Sequence, residues 1–339
     1  MKVLGIETSC DETAASVVEN GRKILSNIVA SSSDMHAKTG GVIPENAARQ
    51  QVVSIIPTVS EALDRCGLNI RKVDALAITV GPGLIGSLLV GVETAKVLAH
   101  LTQKPIVPAN HLVAHIYANW LVEKPAPKFP ALALVVSGGH TDLVLITKHG
   151  SLKWIGGTRD DAAGEAFDKC ARLLGLPYPG GPAISEKASK FLKGSPKPLN
   201  LFPRPIISED NFDFSFSGLK TAVMRSVGNK ISEFDKQRFS AEIQEAIVDV
   251  LVEKTLRAAL KFRPKSLLLA GGVAANLRLR EKFESQIEIR KLKVDFRVPP
   301  PNLCTDNAAY IASFAYFNYR PVSEEIINAR PQLTIGGQA

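Results

Sequence analysis

The fold is decided at residues 2–30, KVLGIETSCDETAASVVENGRKILSNIVA. Within this stretch Asn20-Gly21 separates two apolar runs, and Asn-Gly in such a place is a strong signal for a tight β-hairpin. A further apolar run comes before them. We therefore predict a meander of three strands, at 2–7, 14–19 and 24–30.

The same arrangement returns after a proline-rich linker at 124–130. Apolar runs separated by short turns predict a second meander, with strands at 131–136, 141–147 and 152–155. Apolar residues at helical spacing lie between and after the meanders, which predicts an α/β fold. Helices are expected at 44–66, 162–174, around 243–251, from about 274 and at 306–318, with a loop at 175–182.

We expect a two-lobed protein, because each meander opens one half of the chain. A length of 339 residues suits about two domains. The predicted bounds are 1–128 for the first lobe, 129–305 for the second, and 306–339 for a C-terminal helix and tail that return to the first lobe.

The charge balance favours an anionic partner, with nucleic acid as the first candidate, since the formal net charge is +8. Two basic stretches, at 187–204 and 278–297, could contact RNA phosphates or form solvated faces. The four cysteines lie far apart without a CxxC pair. This spacing argues against a zinc ribbon and a disulfide scaffold, and reduced thiols fit the cytosol.

Neither secretion nor membrane insertion is expected. Glu7 interrupts the N-terminal apolar run, unlike a signal peptide. The best candidate for a membrane span, 84–101, carries Glu93 and Lys96. We therefore expect a cytoplasmic protein.

His111-Leu-Val-Ala-His115 is the sharpest local signal. Four residues of helix turn the chain by about 400° and advance it by about 6 Å. Both imidazoles then share one face and can share a metal ion. Two ordinary histidines, one buried and one exposed, fit the spacing equally well. Asp306, at the start of the predicted last helix, is a candidate ligand or a simple N-cap.

Three glycine-rich turns follow predicted strands, at 81–83, 137–141 and 270–273. Backbone N–H groups in such turns can bind phosphate, although many turns of this kind only reverse the chain. Asp168 could accept hydrogen bonds from ribose hydroxyls, or it could be a surface acid. The polar loop that holds Asp11 and Glu12 could line a cleft or be solvated.

Six motifs, in this order, resemble the TsaD family of tRNA N6-adenosine threonylcarbamoyltransferases over about residues 2–320. They are GIETSCDET at 5–13, GPGLIG at 81–86, HLVAH at 111–115, VSGGHT at 136–141, FSFSGLK at 214–220 and GGVAAN at 271–276. The resemblance implies an ASKHA fold, the two-lobed actin, hexokinase and Hsp70 architecture with a duplicated meander.

The resemblance also implies a reaction. The N6 amine of adenosine 37 in ANN-decoding tRNAs attacks the carbonyl of L-threonylcarbamoyl-adenylate, AMP leaves, and the base becomes t6A. That amine is a poor nucleophile because its lone pair is delocalised, so the acyl donor is a mixed anhydride with a good leaving group.

Site residues follow from the resemblance, position by position. The implied metal ligands are His111, His115 and Asp306, holding one divalent ion, Fe²⁺ first and Zn²⁺ as the alternative. The implied substrate-binding residues are Val136, Ser137, Gly138, Gly139, His140, Asp168, Gly181, Ser185 and Asn276. Asp11 and Glu12 are the implied catalytic residues. Many relatives carry Asp where this chain has Ser185, which puts the contribution of that position in question.

The implied partners are tRNA, threonylcarbamoyl-adenylate, a TsaB-like paralogue and a TsaE-like ATPase, with no membrane. Three alternatives stay open. An ASKHA-type ATP-dependent small-molecule kinase would have no use for the His/His/Asp set. A metalloprotease would need a Glu beside His111, where Leu112 stands. A non-catalytic paralogue scaffold would lack the histidine pair.

Overall fold

The computed structural model describes residues 1–32, 41–194, 200–228 and 231–337. The chain divides into two compact units. The first comprises residues 1–127, 148–152 and 299–339, and the second comprises 128–147 and 153–298. The division into domains at 128 and 305 stays a prediction.

The first unit is built on a mixed sheet of five strands in the order β3-β2-β1-β4-β5. The strands are β1 (Lys2–Glu7), β2 (Thr13–Glu19), β3 (Lys23–Ala30), β4 (Ala75–Gly81) and β5 (Ile106–Asn110). The predicted meander is confirmed, since β2 pairs antiparallel with both β1 and β3. Asn20 and Gly21 both have positive φ, at 52° and 66°, as a two-residue hairpin turn requires.

Both faces of this sheet are covered by helices. The helices of the first unit are α1 (Pro44–Arg65), α2 (Ile85–Thr102) and α3 (His111–Tyr117), with α9 (Pro301–Cys304) and α10 (Ala309–Phe317) near the C-terminal end. Side chains alternate along β1: Leu4 and Ile6 pack in the cluster that includes α1 and α2, whereas Val3 packs in the cluster that includes α3 and α10. This alternation places α3 and α10 on the same side of the sheet.

Helix α2 is the one helix among the described residues with the length and apolar composition that a membrane span would need. Its face with Val92, Ala95 and Ala99 is buried and packs in the apolar cluster of the first sheet. The helix coincides with the stretch at 84–101 weighed above. Core helices of globular proteins pass the same test of length and composition.

The second unit repeats the arrangement of the first. Its sheet has the order β10-β9-β6-β7-β8, with β6 (Ala131–Val136), β7 (Thr141–Lys148), β8 (Ser151–Gly157), β9 (Ser266–Ala270) and β10 (Asp295–Arg297). In each sheet the first strand of the meander pairs antiparallel with the second and parallel with a later strand. The fold is the mixed α/β architecture with a duplicated meander that the sequence predicts.

The helices of the second unit correct two predicted bounds. They are α4 (Ala163–Leu173), α5 (Gly180–Gly194), α6 (Ser217–Ser226), α7 (Glu233–Phe262) and α8 (Leu277–Ile289). The predicted loop at 175–182 is wrong at its end, because α5 already begins at Gly180. Proline fits the first turn of a helix, so Pro182 does not prevent this start. Helix α8 begins at Leu277, after its cap residue Asn276, three residues later than the predicted start near 274.

Candidate metal and substrate site

The histidine pair lies on α3, directly after β5. Asn110 fixes where the helix begins, since its Oδ1 accepts hydrogen bonds from the backbone N–H groups of Leu112 (3.0 Å) and Val113 (3.2 Å). This is a regular N-cap, and it satisfies two of the free donors at the helix start. Both imidazoles are buried. The alternative of one exposed histidine is therefore wrong.

Asp306 completes a cluster of three potential ligands. The Nε2 atoms of His111 and His115 are 3.1 Å apart, and Asp306 Oδ1 lies 3.3 Å from Nε2 of His115 and 3.7 Å from Nε2 of His111. The three donor atoms all lie within 4.8 Å of one another. The N-cap alternative for Asp306 is wrong, because α10 begins at Ala309 and its cap residue is Ala308.

These donors fit a divalent ion. Ligands about 2.0–2.2 Å from Zn²⁺ in a tetrahedral site lie roughly 3.3 Å from one another, close to the distances between the three donor atoms. Imidazole and carboxylate suit both zinc and iron. Three protein ligands leave coordination positions free, as in catalytic rather than structural sites. The hydroxyl of Tyr310, 3.3 Å from His115 Nε2, borders the same point.

A fully buried acid, Glu7, contacts the ring nitrogen of His111 that does not face His115. Its Oε2 lies 2.9 Å from Nδ1 of His111 and accepts a hydrogen bond from the Thr79 hydroxyl at 2.7 Å. Its Oε1 accepts from the backbone N–H of Ser9 at 2.6 Å. Glu7 is not among the predicted site residues, although the loop that begins there is predicted to line a cleft or be solvated. The available signal was an acid at the end of an otherwise apolar, buried strand.

The electrostatics of the cluster follow from burial opposed by neighbouring charges. Burial alone would lower the pKa of His111, but Glu7 and Asp306 outweigh it and raise that pKa to about 9. Burial and the neighbouring charge of His111 lower the pKa of His115. For Asp306 burial acts to raise the pKa, and the two imidazoles bring it down to about 2. The site thus favours the ionised form of Asp306 next to the positive charge of His111.

Asp11 and Glu12 lie in the loop between β1 and β2, in the same unit as the histidines. The loop is fixed by Gln51 of α1, whose side-chain amide donates to the carbonyl groups of Cys10 (3.1 Å) and Glu12 (2.9 Å). Glu12 Oε1 accepts from Ser31 Oγ at 2.9 Å. Burial, together with Asp11, raises the pKa of Glu12 to about 7, so this carboxyl can exchange protons near neutral pH.

Glycines near the predicted substrate residues of the second unit differ in the space around them. A Cβ at Gly271 would lie 2.4 Å from the Val136 carbonyl oxygen, and one at Gly164 would lie 2.5 Å from the Ser137 carbonyl oxygen. Close packing therefore explains both. At Gly138, Gly139, Gly181 and Gly272, by contrast, a Cβ would meet no atom of the described residues within 4 Å. Open space over a glycine is where a ligand can approach the backbone, and three of these glycines, Gly138, Gly139 and Gly272, follow strand ends.

The remaining predicted substrate residues lie on α4, α5 and the start of α8. Asp168 Oδ1 accepts from the Gly180 N–H at 2.7 Å, and burial raises the pKa of Asp168. Ser185 stands four residues after Gly181, on the same face of α5. Asn276 caps α8 through Leu279 N–H and donates to Gln244 Oε1 at 3.0 Å. The turn at 136–140 closes through a hydrogen bond from Ser137 N–H to the His140 carbonyl.

The two basic stretches are largely paired with acids. On α8, Arg278 bonds Glu245 of α7 at 2.8 Å and Lys282 contacts both Glu245 and Asp249. In the first stretch, Lys187, Lys190 and Arg204 contact Glu233, Glu186 and Asp249, respectively, while Lys197 lies outside the described residues. These pairs weaken the hypothesis that the stretches serve as RNA-binding surfaces.

Comparison with known proteins agrees with the motifs. The profile of the TsaD family, described as tRNA N6-adenosine threonylcarbamoyltransferase, matches residues 23–313. A protein of that name from Thermomicrobium roseum is 50% identical over 94% of this chain and 92% of its own length. One from Geobacillus thermodenitrificans is 49% identical over 98% of this chain and 96% of its own.

The fold has relatives beyond that family. Component A of the (R)-2-hydroxyglutaryl-CoA dehydratase of Acidaminococcus fermentans superimposes with a TM-score of 0.56 at 14% identity, covering 93% of this chain and 98% of the other. Such a distant likeness shows the shared ASKHA fold. The chain therefore belongs to the TsaD family, tRNA N6-adenosine threonylcarbamoyltransferase, and is a transferase of tRNA modification that forms t6A.

Proposed function

We propose that the protein transfers the threonylcarbamoyl group of L-threonylcarbamoyl-adenylate to N6 of adenosine 37 in ANN-decoding tRNAs, which yields t6A37 and AMP. One observation carries the proposal within a chain of this family. His111, His115 and Asp306 present three donor atoms within 4.8 Å of one another. A small-molecule kinase or a scaffold does not need such a cluster.

The three residues would hold one divalent cation, with Fe²⁺ first and Zn²⁺ as the alternative. Such an ion supplies Lewis acidity, which polarises a carbonyl or phosphoryl oxygen. The side chains themselves orient the site. α3 holds both imidazoles on one face, and the turn before α10 brings Asp306 beside them.

Glu12, with Asp11 beside it, would accept the proton that the attacking amine loses. A general base works best when its pKa lies near the working pH, and the pKa of Glu12 is raised to about 7. Asp11 contributes to that shift by charge repulsion. The carboxylate removes a proton from nitrogen as the new bond to the carbonyl carbon forms.

The adenylate would be bound by residues of the second unit. Its phosphate would lie against the turn formed by Val136, Ser137, Gly138, Gly139 and His140, whose two glycines leave room for a ligand. Asp168 would accept hydrogen bonds from the ribose, and Gly181, Ser185 and Asn276 would border the nucleoside. A hydroxyl at Ser185 can bond a ribose hydroxyl without adding charge.

The protein would work in the cytoplasm with a TsaB-like paralogue and a TsaE-like ATPase. Helix α1 offers a surface for the paralogue, since Val52, Val53 and Ile56 are 63%, 69% and 59% exposed. Ile85 and Leu89 of α2, a helix that packs against α1, are also exposed. Contiguous exposed apolar residues mark protein contacts in many proteins.

The test is reconstitution. The protein is incubated with synthetic threonylcarbamoyl-adenylate, an ANN-decoding tRNA, and TsaB-like and TsaE-like proteins, and the tRNA is digested to nucleosides for mass spectrometry. We expect t6A and equimolar AMP, and no t6A with a tRNA that carries guanosine at position 37. Unmodified tRNA together with ATP-dependent phosphorylation of a sugar would favour the kinase.

A further inference from the structure

Glu7 is a buried acid that the proposed chemistry does not use. Its side chain is 0% exposed at the end of β1. No lysine or arginine pairs with it among residues 1–32, 41–194, 200–228 and 231–337. Burying a carboxylate costs free energy unless hydrogen bonds or opposite charges compensate for the lost water.

Both oxygens of Glu7 act as acceptors. The Ser9 backbone N–H can only donate, and it donates to Oε1. Thr79 donates its hydroxyl to Oε2. The 2.9 Å contact between Oε2 and Nδ1 of His111 is therefore a hydrogen bond in which Nδ1–H donates, and the Ser9 hydroxyl lies 3.1 Å from the same nitrogen. A neutral imidazole carries one proton, so its lone pair then lies on Nε2.

That lone pair faces the other two candidate metal ligands. Nε2 of His111 is the atom that faces Nε2 of His115 at 3.1 Å and Asp306 Oδ1 at 3.7 Å. The second histidine offers a contrast within the same site. Nδ1 of His115 is buried and has no hydrogen-bond partner in the part of the chain that the structure describes. Only one of the two imidazoles is thus oriented by an acid.

We propose that Glu7 is a positioning residue that fixes the tautomer and ring orientation of His111, and thereby sets the affinity of the site for its divalent cation. The inference rests on the proposed metal site. Acids that bond the outer nitrogen of a ligating histidine commonly contribute 10–100-fold to metal affinity. Thr79 and Ser9 in turn hold the Glu7 carboxylate in place.

Metal affinity provides the test, independent of transfer activity. Zn²⁺ affinity is measured by competition with a chromophoric chelator, and the ligand field by Co²⁺ absorption. We expect Glu7→Gln, which keeps the size of the side chain, to weaken Zn²⁺ binding by about 10–100-fold and to alter the Co²⁺ spectrum. Glu242→Gln is the matched control, because Glu242 is equally buried on α7 and accepts from Leu201 N–H. It should leave both readouts unchanged.

A second measurement needs no variant. In metal-free protein labelled with ¹⁵N-histidine, at a pH high enough for the imidazole of His111 to be neutral, long-range ¹H–¹⁵N NMR reports which ring nitrogen carries the single proton. We expect Nδ1 of His111 to be protonated and Nε2 to be unprotonated. This result stays decisive even where Glu7→Gln fails to fold.

The outcomes separate the inference from the proposed metal site. Unchanged Zn²⁺ affinity in folded Glu7→Gln, or an unprotonated Nδ1 of His111 in the wild type, overturns the role of Glu7 while the metal site stands. Full Zn²⁺ binding by His111→Ala overturns the metal site itself. Loss in His111→Ala together with a graded loss in Glu7→Gln supports both.

Discussion

Two clusters of charged side chains, one in each unit, differ in whether they are complete. In the second unit, acidic residues of α7 pair with basic residues of α8. Glu245 contacts both Arg278 and Lys282, so two positive charges compensate its negative charge. In the first unit, two imidazole Nε2 atoms face each other at 3.1 Å beside one carboxylate.

This difference indicates a structural role for the cluster in the second unit and a binding role for the cluster in the first unit. A network of alternating charges needs no further partner, and its contribution is to stability. A cluster whose lone pairs converge on one point is complete only when a cation occupies that point.

The largest effect is expected from removing a metal ligand. His115→Ala should abolish stoichiometric metal binding and reduce t6A formation by at least about 100-fold, because a Lewis acid supplies several kcal/mol to the transition state. Circular dichroism should be unchanged, since α3 is capped by Asn110 and not by the histidine. Normal t6A formation by a metal-free variant would contradict the metal role.

Breaking the charge network of Glu245, Arg278 and Lys282 should instead lower the stability of the fold. Glu245→Gln removes the acceptor of two cations, and we expect the free energy of unfolding in urea to fall by about 2 kcal/mol. Metal content should stay at the wild-type level. A loss of metal in this variant would show that the two clusters do not act separately.

The same residue predicts an effect of pH. Burial would raise the pKa of Glu245, but Arg278 and Lys282 hold it at about 2 against an ordinary 4.5. Its contribution to stability is therefore complete above pH 4.5 and is lost as the pH falls from there through 2. Acid titration of unfolding should show a shallower loss over this window in Glu245→Gln than in the wild type. Equal slopes would rule out this assignment.

In the first unit the expected effect of pH is on activity, and it comes from a carboxyl group whose pKa is raised and not lowered. Glu12, whose pKa is raised to about 7, must be deprotonated to accept a proton. We expect kcat/KM for t6A formation to fall about tenfold per pH unit below 7, and Glu12→Gln to remove that limb together with most of the activity. A pH profile with the same acid limb in Glu12→Gln would assign the titration to another group.

The smallest effect is expected at an exposed pair. Glu45 and Arg49 of α1 are 2.7 Å apart, but their side chains are 73% and 77% exposed. Glu45→Gln should change the free energy of unfolding by less than about 0.5 kcal/mol. A change as large as that of Glu245→Gln would mean that burial does not distinguish the pairs.

Local sequence signals were sufficient for the meanders and for the histidine pair. Asn20-Gly21 has few alternatives to a hairpin, and the i, i+4 spacing of His111 and His115 requires only that α3 be helical. Asp306 was different, since nearly 200 residues separate it from His115. Its local context left it as either a ligand or a helix cap, and only the family resemblance favoured the ligand.

Other features could not be read from the chain, because they depend on distant contacts. Glu7 resembles an ordinary strand end until Thr79 and His111 are brought against it. Arg278 and Lys282 look like an RNA-binding run until α7 packs alongside and supplies Glu245. The start of α5 was missed because glycines beside a proline usually indicate a loop, whereas Gly180 is anchored by Asp168.

The most direct test of the metal centre is an anomalous difference map from crystals of the protein equilibrated with Fe²⁺ under anaerobic conditions. We predict a single strong peak bonded to Nε2 of His111, Nε2 of His115 and a carboxylate oxygen of Asp306, each about 2.0–2.2 Å away. The absence of a peak at these atoms, or full occupancy elsewhere, would contradict the account.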